Sequence, residues 1–134
     1  MKPLILALLM LCLSGSLMAQ KMVKLKVNWL YTNIIEGYDH NCKTKIFIDG
    51  TEIAESNSAP ESVKSELIVE VAKGRHYVQI VNLALYEGAW EEVTVDNNYS
   101  TDSFYEDTIT FKKKPVSVSL VFDISTGSTE VKVK

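Results

Sequence analysis

Glycine, proline, cysteine and histidine are all scarce in this 134-residue chain, which has six glycines, three prolines and two of each of the others. So little glycine and proline excludes a collagen-like protein or a flexible linker, and 46% hydrophobic residues exclude a disordered chain. Fourteen basic residues against seventeen acidic ones give a net charge of -3, which argues against a nucleic-acid-binding surface. The length predicts one domain with one modest core.

A single long apolar run is present, and it lies at the start of the chain. Lys2 precedes an apolar stretch over residues 4–13, and the small residue Ala19 follows a Ser-Gly-Ser break. This order is typical of a secretory signal peptide, so we predict a signal over residues 1–19 and a mature domain over residues 20–134. The alternative is an uncleaved anchor, although a membrane span needs roughly 20 apolar residues. We therefore expect a bacterial protein that is secreted, periplasmic or on the cell surface, with no transmembrane segment after cleavage.

Cleavage would also leave a single cysteine. Cys12 lies inside the predicted signal, so Cys42 has no partner for an intrachain disulfide, and packing must supply the stability. A lone cysteine in an exported protein is buried, paired with another chain, or free and reactive. We favour burial, because free cysteine is among the most buried residue types.

Most of the remaining sequence alternates between apolar and polar residues with a period of two, which is the pattern of half-buried strands. In the first such segment, one face consists of Val23, Leu25, Val27, Trp29 and Tyr31, and we assign this face to the core. Strands are also predicted at residues 44–49, 51–53, 67–71, 75–85, 90–95, 109–111, 116–124 and 130–134.

The turns between these segments are marked by residues that favour tight reversals. Asp49-Gly50 predicts a β-hairpin, while residues 54–62 and 96–102 are predicted to be loops. The Val-Lys alternation at the end of the chain is typical of a guarded edge strand. The fold class predicted is all-β: a single antiparallel β-sandwich of about seven or eight strands.

Two segments resemble the PEGA-type surface modules. They are Ile46-Phe47-Ile48-Asp49-Gly50 and Val71-Ala72-Lys73-Gly74-Arg75-His76-Tyr77-Val78-Gln79-Ile80, and the resemblance covers roughly residues 44–95. Those modules are similar in having a hydrophobic strand that ends in Asp-Gly and a later Gly-x-His-x-Val strand. The resemblance implies an immunoglobulin- or transthyretin-like sandwich of the carboxypeptidase-regulatory kind. It also implies a non-catalytic envelope module, and it supplies no catalytic residues.

One polar cluster contains a candidate nucleophile. In Asp39-His40-Asn41-Cys42, an imidazole lies two positions from a thiol, as a small Cys/His hydrolase or redox protein would need. A metal site made of His40, Cys42 and His76 is a further alternative. No Gly-rich elbow or oxyanion-hole motif accompanies the cluster, so we expect a surface loop with a buried cysteine, and no enzyme.

A polar stretch near residue 100 has the spacing of a calcium loop. Oxygen-bearing side chains fall at positions 1, 3, 5, 7 and 12 of the imagined loop, and calcium takes roughly six to eight hard oxygen ligands. Thr101 occupies the position that needs glycine, so the alternative is a polar connection between strands. No other cofactor is expected. The candidate calcium ligands are Asp96, Asn98, Ser100, Asp102 and Asp107.

Aromatic side chains near loops are candidates for ligand binding. Tyr38, Tyr86 and Trp90 lie at or beside predicted turns, so we expect them to be exposed and able to stack on the apolar faces of sugars. We therefore predict a non-catalytic, exported module that interacts with a protein or a cell-surface glycan or other polymer. A carbohydrate-binding accessory domain is the second hypothesis.

Overall fold

The computed structural model describes residues 21–134, so the predicted signal peptide over residues 1–19 lies outside the described residues. Strands dominate this part of the chain, and its only helical segment is a short 3-10 helix at Val95–Asn97. No helix in this part is long and apolar enough to cross a membrane. The strands are β1 (Met22–Thr32), β2 (Asn41–Ile48), β3 (Thr51–Glu55), β4 (Ala59–Pro60), β5 (Ser65–Ala72), β6 (Gly74–Tyr86), β7 (Ala89–Glu92), β8 (Phe104–Phe111), β9 (Val116–Asp123) and β10 (Thr129–Val133).

These ten strands form two sheets. The four-stranded sheet has the order β10-β9-β1-β5, and the six-stranded sheet has the order β3-β2-β6-β7, with β4 added to β2 and β8 added to β6. All paired strands are antiparallel except β1 and β9, which run parallel with Leu25 opposite Val116. The predicted all-β sandwich is confirmed, with one parallel pair and more strands than the seven or eight expected.

The core lies between the two sheets and follows the period-two alternation. All five residues assigned to the inner face of β1 are buried, with exposed fractions of 0 to 4%. Because successive side chains of a strand point to opposite faces, one register of β1 decides the burial of the whole set. Across the core, the six-stranded sheet contributes buried residues of β2, β6 and β8, namely Cys42, Ile46, Val78, Ile80, Ala84, Ile109 and Phe111.

Two hairpins confirm the local turn chemistry. Asp49 and Gly50 both have positive φ angles, 51° and 83°, and Glu87 and Gly88 have φ angles of 49° and 80°. Two successive residues with positive φ are the signature of a type I′ turn, whose twist matches that of the flanking strands. These turns connect β2 to β3 and β6 to β7.

The prediction of an uninterrupted loop over residues 54–62 is wrong. The end of β3 and the short strand β4 lie within this range, because Ala59 and Pro60 pair with Cys42 and Asn41 of β2. β4 lies at the edge of its sheet, where the missing N–H of proline costs no ladder hydrogen bond. Nothing in residues 54–62 alone indicates this pairing, since its partner lies upstream in β2.

The two PEGA-like segments meet in the structure through a side-chain pair. His76 Nδ1 lies 2.5 Å from Asp49 Oδ2, and His76 Nε2 lies 2.9 Å from the carbonyl oxygen of Ala72. Both imidazole nitrogens thus face acceptors, which favours the doubly protonated ring. The pKa of His76 is accordingly raised, chiefly by the hydrogen bond to Asp49, and the same bond lowers the pKa of Asp49.

This pair predicts a pH-dependent contribution to folding. The raised pKa of His76 stabilises the fold fully below the ordinary imidazole pKa of 6.5, and that stability is lost as pH rises through the folded-state value. The lowered pKa of Asp49 stabilises the fold above the ordinary carboxyl pKa of 3.8, and that stability is lost as pH falls through the folded-state value. We expect His76→Gln to lower the urea midpoint more at about pH 5 than at about pH 9. An equal loss at both pH values would contradict the assignment, since every other titrating group is common to both proteins.

Candidate functional site

A pocket opens at one end of the sandwich, where the loops after β1, β4 and β7 meet the end of β6. Its volume is about 460 Å³, within the range of roughly 300–1,000 Å³ that is usual for small-molecule sites. The residues around it fall into four chemical groups. They are the aliphatic Ile34, Ile35, Val93 and Ile124, the aromatic Tyr38, Tyr86 and Tyr99, the titratable His40, Glu61 and Glu91, and the polar Asn97, Asn98 and Ser100.

Three tyrosine rings surround the imidazole of His40. The ring centroid of His40 lies 6.3 Å from that of Tyr38, 6.1 Å from that of Tyr86 and 6.5 Å from that of Tyr99. Each pair is close to edge-on, with interplanar angles of 69° to 81°. This is a favoured arrangement of aromatic rings, so His40 holds the three tyrosines in one cluster.

The register of the β6–β7 hairpin decides which side chains reach the pocket. Glu91 lies opposite the buried Ala84, and Trp90 lies opposite Leu85 on the other face of the sheet. Since side chains alternate along a strand, Tyr86 shares the inward face with Ala84. The hairpin therefore presents Tyr86 and Glu91 to the pocket and directs Trp90 to the outer face.

The segment from Tyr38 to His40 is tied to the segment around Glu61. Both carboxylate oxygens of Asp39 accept hydrogen bonds from Ser62, one from its backbone N–H at 3.0 Å and one from its hydroxyl at 2.5 Å. The backbone N–H of Glu61 donates to the carbonyl oxygen of His40 at 2.9 Å. These bonds fix two walls of the pocket relative to each other, although neither wall belongs to a long strand.

Glu61 is the most unusual residue of the site. It is only 4% exposed, yet within residues 21–134 its carboxyl group has no hydrogen bond and no ion pair. Burial, together with a smaller effect of the nearby Asp39, raises its pKa to about 7. A buried carboxyl group without a nearby cation is costly to ionise. A positively charged group that reached Glu61 would therefore favour its ionised form.

Tyr99 and Glu91 form a second polar pair on the pocket wall. The hydroxyl of Tyr99 donates to Glu91 Oε1 at 2.6 Å, and burial followed by this hydrogen bond raises the pKa of Tyr99. The loop that carries Tyr99 is shaped by its own backbone: Thr94 caps the 3-10 helix, and the N–H of Tyr99 donates to the carbonyl oxygen of Thr94 at 3.1 Å. Tyr99 is therefore held in place at both its backbone and its hydroxyl.

A buried asparagine anchors this loop to the sandwich. Asn82 is fully buried in β6, and its side chain accepts a hydrogen bond from the hydroxyl of Thr44 and donates one to the carbonyl oxygen of Ser103 at 3.1 Å. Its backbone carbonyl accepts from the N–H of Val93 at 3.0 Å. Asn82 thus contacts both ends of the segment between β7 and β8, which supplies one wall of the pocket.

The structure brings together two of the three predicted ligand-binding aromatics. Tyr38 and Tyr86 are 63% and 49% exposed, as expected, and both line the pocket. Trp90 is also exposed, at 36%, but it lies outside the pocket, with Lys43 Nζ 4.3 Å from its ring centroid. A role for Trp90 in binding stays a prediction, and it would concern the outer face of the sheet.

The candidate calcium ligands are distributed over a loop and a strand. Asp107 lies within β8 opposite Val78, and Asp102 accepts a hydrogen bond from the N–H of Val95 at 2.8 Å. Asn98 and Ser100 line the pocket. Asp96 lies in the 3-10 helix. Within the described residues, no group of three or more His, Cys, Asp or Glu side chains is placed to hold a metal ion, and calcium binding stays a prediction.

The two histidines and the cysteine that the sequence analysis considered lie in three different environments. Cys42 is buried in the core, as expected, and its burial raises the pKa of the thiol to about 12. His40 lines the pocket, while His76 is engaged with Asp49. Since the thiolate is the nucleophilic and metal-binding form, this cysteine is a poor nucleophile or ligand near neutral pH.

Sequence reasoning missed Glu61 and Glu91 as parts of a binding site, and it did not single out Tyr99 as a ligand-binding residue. Glu61 lies in a range predicted to be a plain loop, and no local pattern marks an acidic residue there for burial. Tyr99 carries a weak signal, because an aromatic residue within a run of Asp, Asn and Ser is an unusual loop residue. Its approach to His40 depends on three loops that meet only in the folded chain.

Comparisons with known proteins give distant likenesses. No family model matches this chain, and no curated protein matches it. Among solved structures, pneumolysin is 13% identical over 86% of this chain and 24% of its own, with a TM-score of 0.40. A Gram-negative toxin is 6% identical over 86% of this chain and 23% of its own, with a TM-score of 0.40. This chain therefore spans about a quarter of the length of the solved structures it matches.

Proposed function

We propose that this protein is a non-catalytic, exported β-sandwich module that binds a cell-surface glycan through the pocket lined by Tyr38, Tyr86 and Tyr99. The convergence of three tyrosines on His40 is the observation that carries the proposal. Export rests on the predicted signal peptide, and an envelope location rests on the resemblance to PEGA-type modules.

The pocket has the two components that sugar recognition needs. Tyrosine rings offer apolar surface on which a sugar ring can stack, at a small cost in side-chain entropy. Around them, Asn97, Asn98 and Ser100 supply polar atoms for the sugar hydroxyl groups. Mostly apolar pockets with a few converging polar groups are typical of small-molecule sites.

A protein partner that adds a strand is the second candidate, and one observation favours it. Among the strands of residues 21–134, β10 pairs only with β9 and has an open edge, whereas β1 is paired on both sides and offers no edge. Exposed edges are templates for strand addition, although Lys132 is of the type that discourages it.

The glycan proposal predicts a loss of binding when the stacking surface is removed. We expect Tyr86→Ala to weaken the binding of a tetrasaccharide that the wild-type protein recognises by roughly tenfold or more, because the ring supplies much of the stacking area. The measurement is isothermal titration against cellotetraose, a mannose tetramer and the fully N-acetylated and fully deacetylated glucosamine tetramers.

Tyr77→Ala is the matched control, because Tyr77 is an exposed tyrosine of the same strand that lies outside the pocket. The control is expected to bind like the wild-type protein. If none of the four sugars binds to the wild-type protein, the glycan proposal is wrong, and strand addition becomes the leading candidate.

A further inference from the structure

The charged groups around the pocket are of one sign. Glu61 and Glu91 line it, and none of the lining residues is a lysine or an arginine. Asp39, which is next to His40 in sequence, adds a third carboxylate close to Glu61. In the part of the chain that the structure describes, the imidazole of His40 is the only basic side chain that lines the pocket. The pocket is thus complementary to a cation.

Glu61 is an independent sign of a missing ligand group. Glu61 is 4% exposed, it lines the pocket, and its carboxyl group has no hydrogen bond or ion pair in residues 21–134. Its oxygens are not among the fully enclosed atoms of these residues that lack a partner, so they are in contact with solvent. Buried polar groups are nearly always paired in native proteins, with the exceptions concentrated at functional sites. A partner can reach this carboxyl group from the pocket, because Glu61 lines it.

We propose that the sugar residue received by this pocket is an amino sugar, whose protonated amine pairs with Glu61 between the tyrosine rings. This inference rests on the proposed function and names the class of its ligand. The ammonium group would supply the cation that Glu61 lacks, and the tyrosine faces would add cation–π attraction. Such a hydrogen bond between two charged groups is about twice as strong as one between neutral groups.

The pKa of Glu61 supports this arrangement. Burial raises that pKa to about 7, and a cation held beside the carboxyl group would lower it again by favouring the ionised form. Glu91 already accepts a hydrogen bond from Tyr99, so its carboxylate needs a further polar partner less than that of Glu61 does. Amine recognition is therefore assigned to Glu61.

A sugar amine fits the pocket better than the amine of a lysine side chain. A lysine would present a narrow alkyl chain, which offers little surface to three aromatic rings and no hydroxyl groups to the polar side chains. Those polar side chains are Asn97, Asn98 and Ser100. A pyranose ring has both an apolar face for the tyrosines and hydroxyl groups for the polar residues. A lysine-bearing peptide is kept as an alternative outcome of the test.

The test compares two glucosamine tetramers that differ only in the acetylation of the amine, and it adds a peptide that carries amines. The deacetylated and N-acetylated glucosamine tetramers have the same length, and tetralysine supplies amines without a sugar. At about 0.15 M salt, where the Debye length is ~8 Å, attraction to the net charge of the protein is largely screened. We expect the wild-type protein to bind the deacetylated tetramer roughly tenfold or more tightly than the other two ligands.

Glu61→Gln is expected to abolish this preference, because glutamine has the shape of the protonated carboxyl group but cannot carry its negative charge. Glu92→Gln is the matched control, since it removes the same charge from an exposed position outside the pocket. It should retain the preference.

The outcomes separate the amino-sugar inference, the role of Glu61 and the glycan proposal. Equal affinity for the two glucosamine tetramers would overturn the amino-sugar inference and leave the glycan proposal intact. Tighter binding of tetralysine would overturn the inference in favour of a peptide amine. A preference that persists in Glu61→Gln would overturn the role of Glu61. If neither glucosamine tetramer binds, the inference fails, and the proposed function fails as well when cellotetraose and the mannose tetramer also do not bind.

Discussion

Replacing Phe122 by alanine is expected to lower the free energy of unfolding by about 3–5 kcal/mol, the usual cost of removing a large buried aromatic side chain. Phe122 is fully buried in β9, and its ring centroid lies 5.0 Å from that of Tyr31 on the parallel strand β1. The substitution would remove both the buried area and the aromatic contact, and the surrounding sheets cannot close the resulting cavity without shifting strands.

Urea denaturation followed by far-UV circular dichroism measures this loss. Val121→Ala is the control, because Val121 is the neighbouring residue of the same strand, lies on the opposite face and is only partly buried. We expect the control to lose clearly less stability than Phe122→Ala. Similar losses for the two variants would mean that Phe122 does not lie at the centre of the core.

Asn82→Leu is the other substitution with a large expected effect, and it should lower both the free energy of unfolding and the glycan affinity. Each buried polar group left unpaired costs roughly 1–3 kcal/mol, and the substitution leaves the hydroxyl of Thr44 without its acceptor and removes a donor to Ser103. We therefore expect the free energy of unfolding to fall by about 3 kcal/mol. Because Asn82 anchors the segment that carries Tyr99, glycan affinity should fall as well.

A double-mutant comparison separates the polar network from simple packing. Thr44→Val combined with Asn82→Leu removes both partners of one buried hydrogen bond, which is often nearly neutral, so part of the lost stability should return. Glycan affinity should stay below the wild-type value in the double variant, because the side-chain bond to Ser103 is still absent and only the backbone N–H of residue 82 reaches that carbonyl oxygen, at 3.2 Å. If adding Thr44→Val brings no recovery, packing rather than hydrogen bonding explains the effect of Asn82.

The strands and their buried faces were predictable from the sequence because both depend on near neighbours. The alternation from Val23 to Tyr31 selects the core face of β1, and Asp49-Gly50 permits the positive φ angles of a tight hairpin. The exposure of Tyr38, Tyr86 and Trp90 was predicted in the same way, from their positions beside turns. Each of these features involves residues only a few positions apart.

The candidate site was predictable only in part. Tyr38 and Tyr86 were identified as exposed aromatics, but their meeting at His40 joins the loop after β1 to the end of β6. Glu61 was missed because its burial depends on the pairing of β4 with β2 and on the bond from its backbone to His40. The sequence does not show that Trp90 lies on the opposite face of the sheet from Tyr86, because this depends on the register of the β6–β7 hairpin.

The all-β class, the inner face of β1 and the Asp49-Gly50 hairpin follow from the sequence alone, because side-chain alternation and turn geometry are local properties of the chain. The folded structure is needed to show that β1 and β9 run parallel, that Cys42 and His40 lie in different environments, and that Glu61 lines the same pocket as three tyrosines. The physical reason is that strand order and loop contacts depend on pairings between distant segments, and alternation within one strand carries no information about its partner.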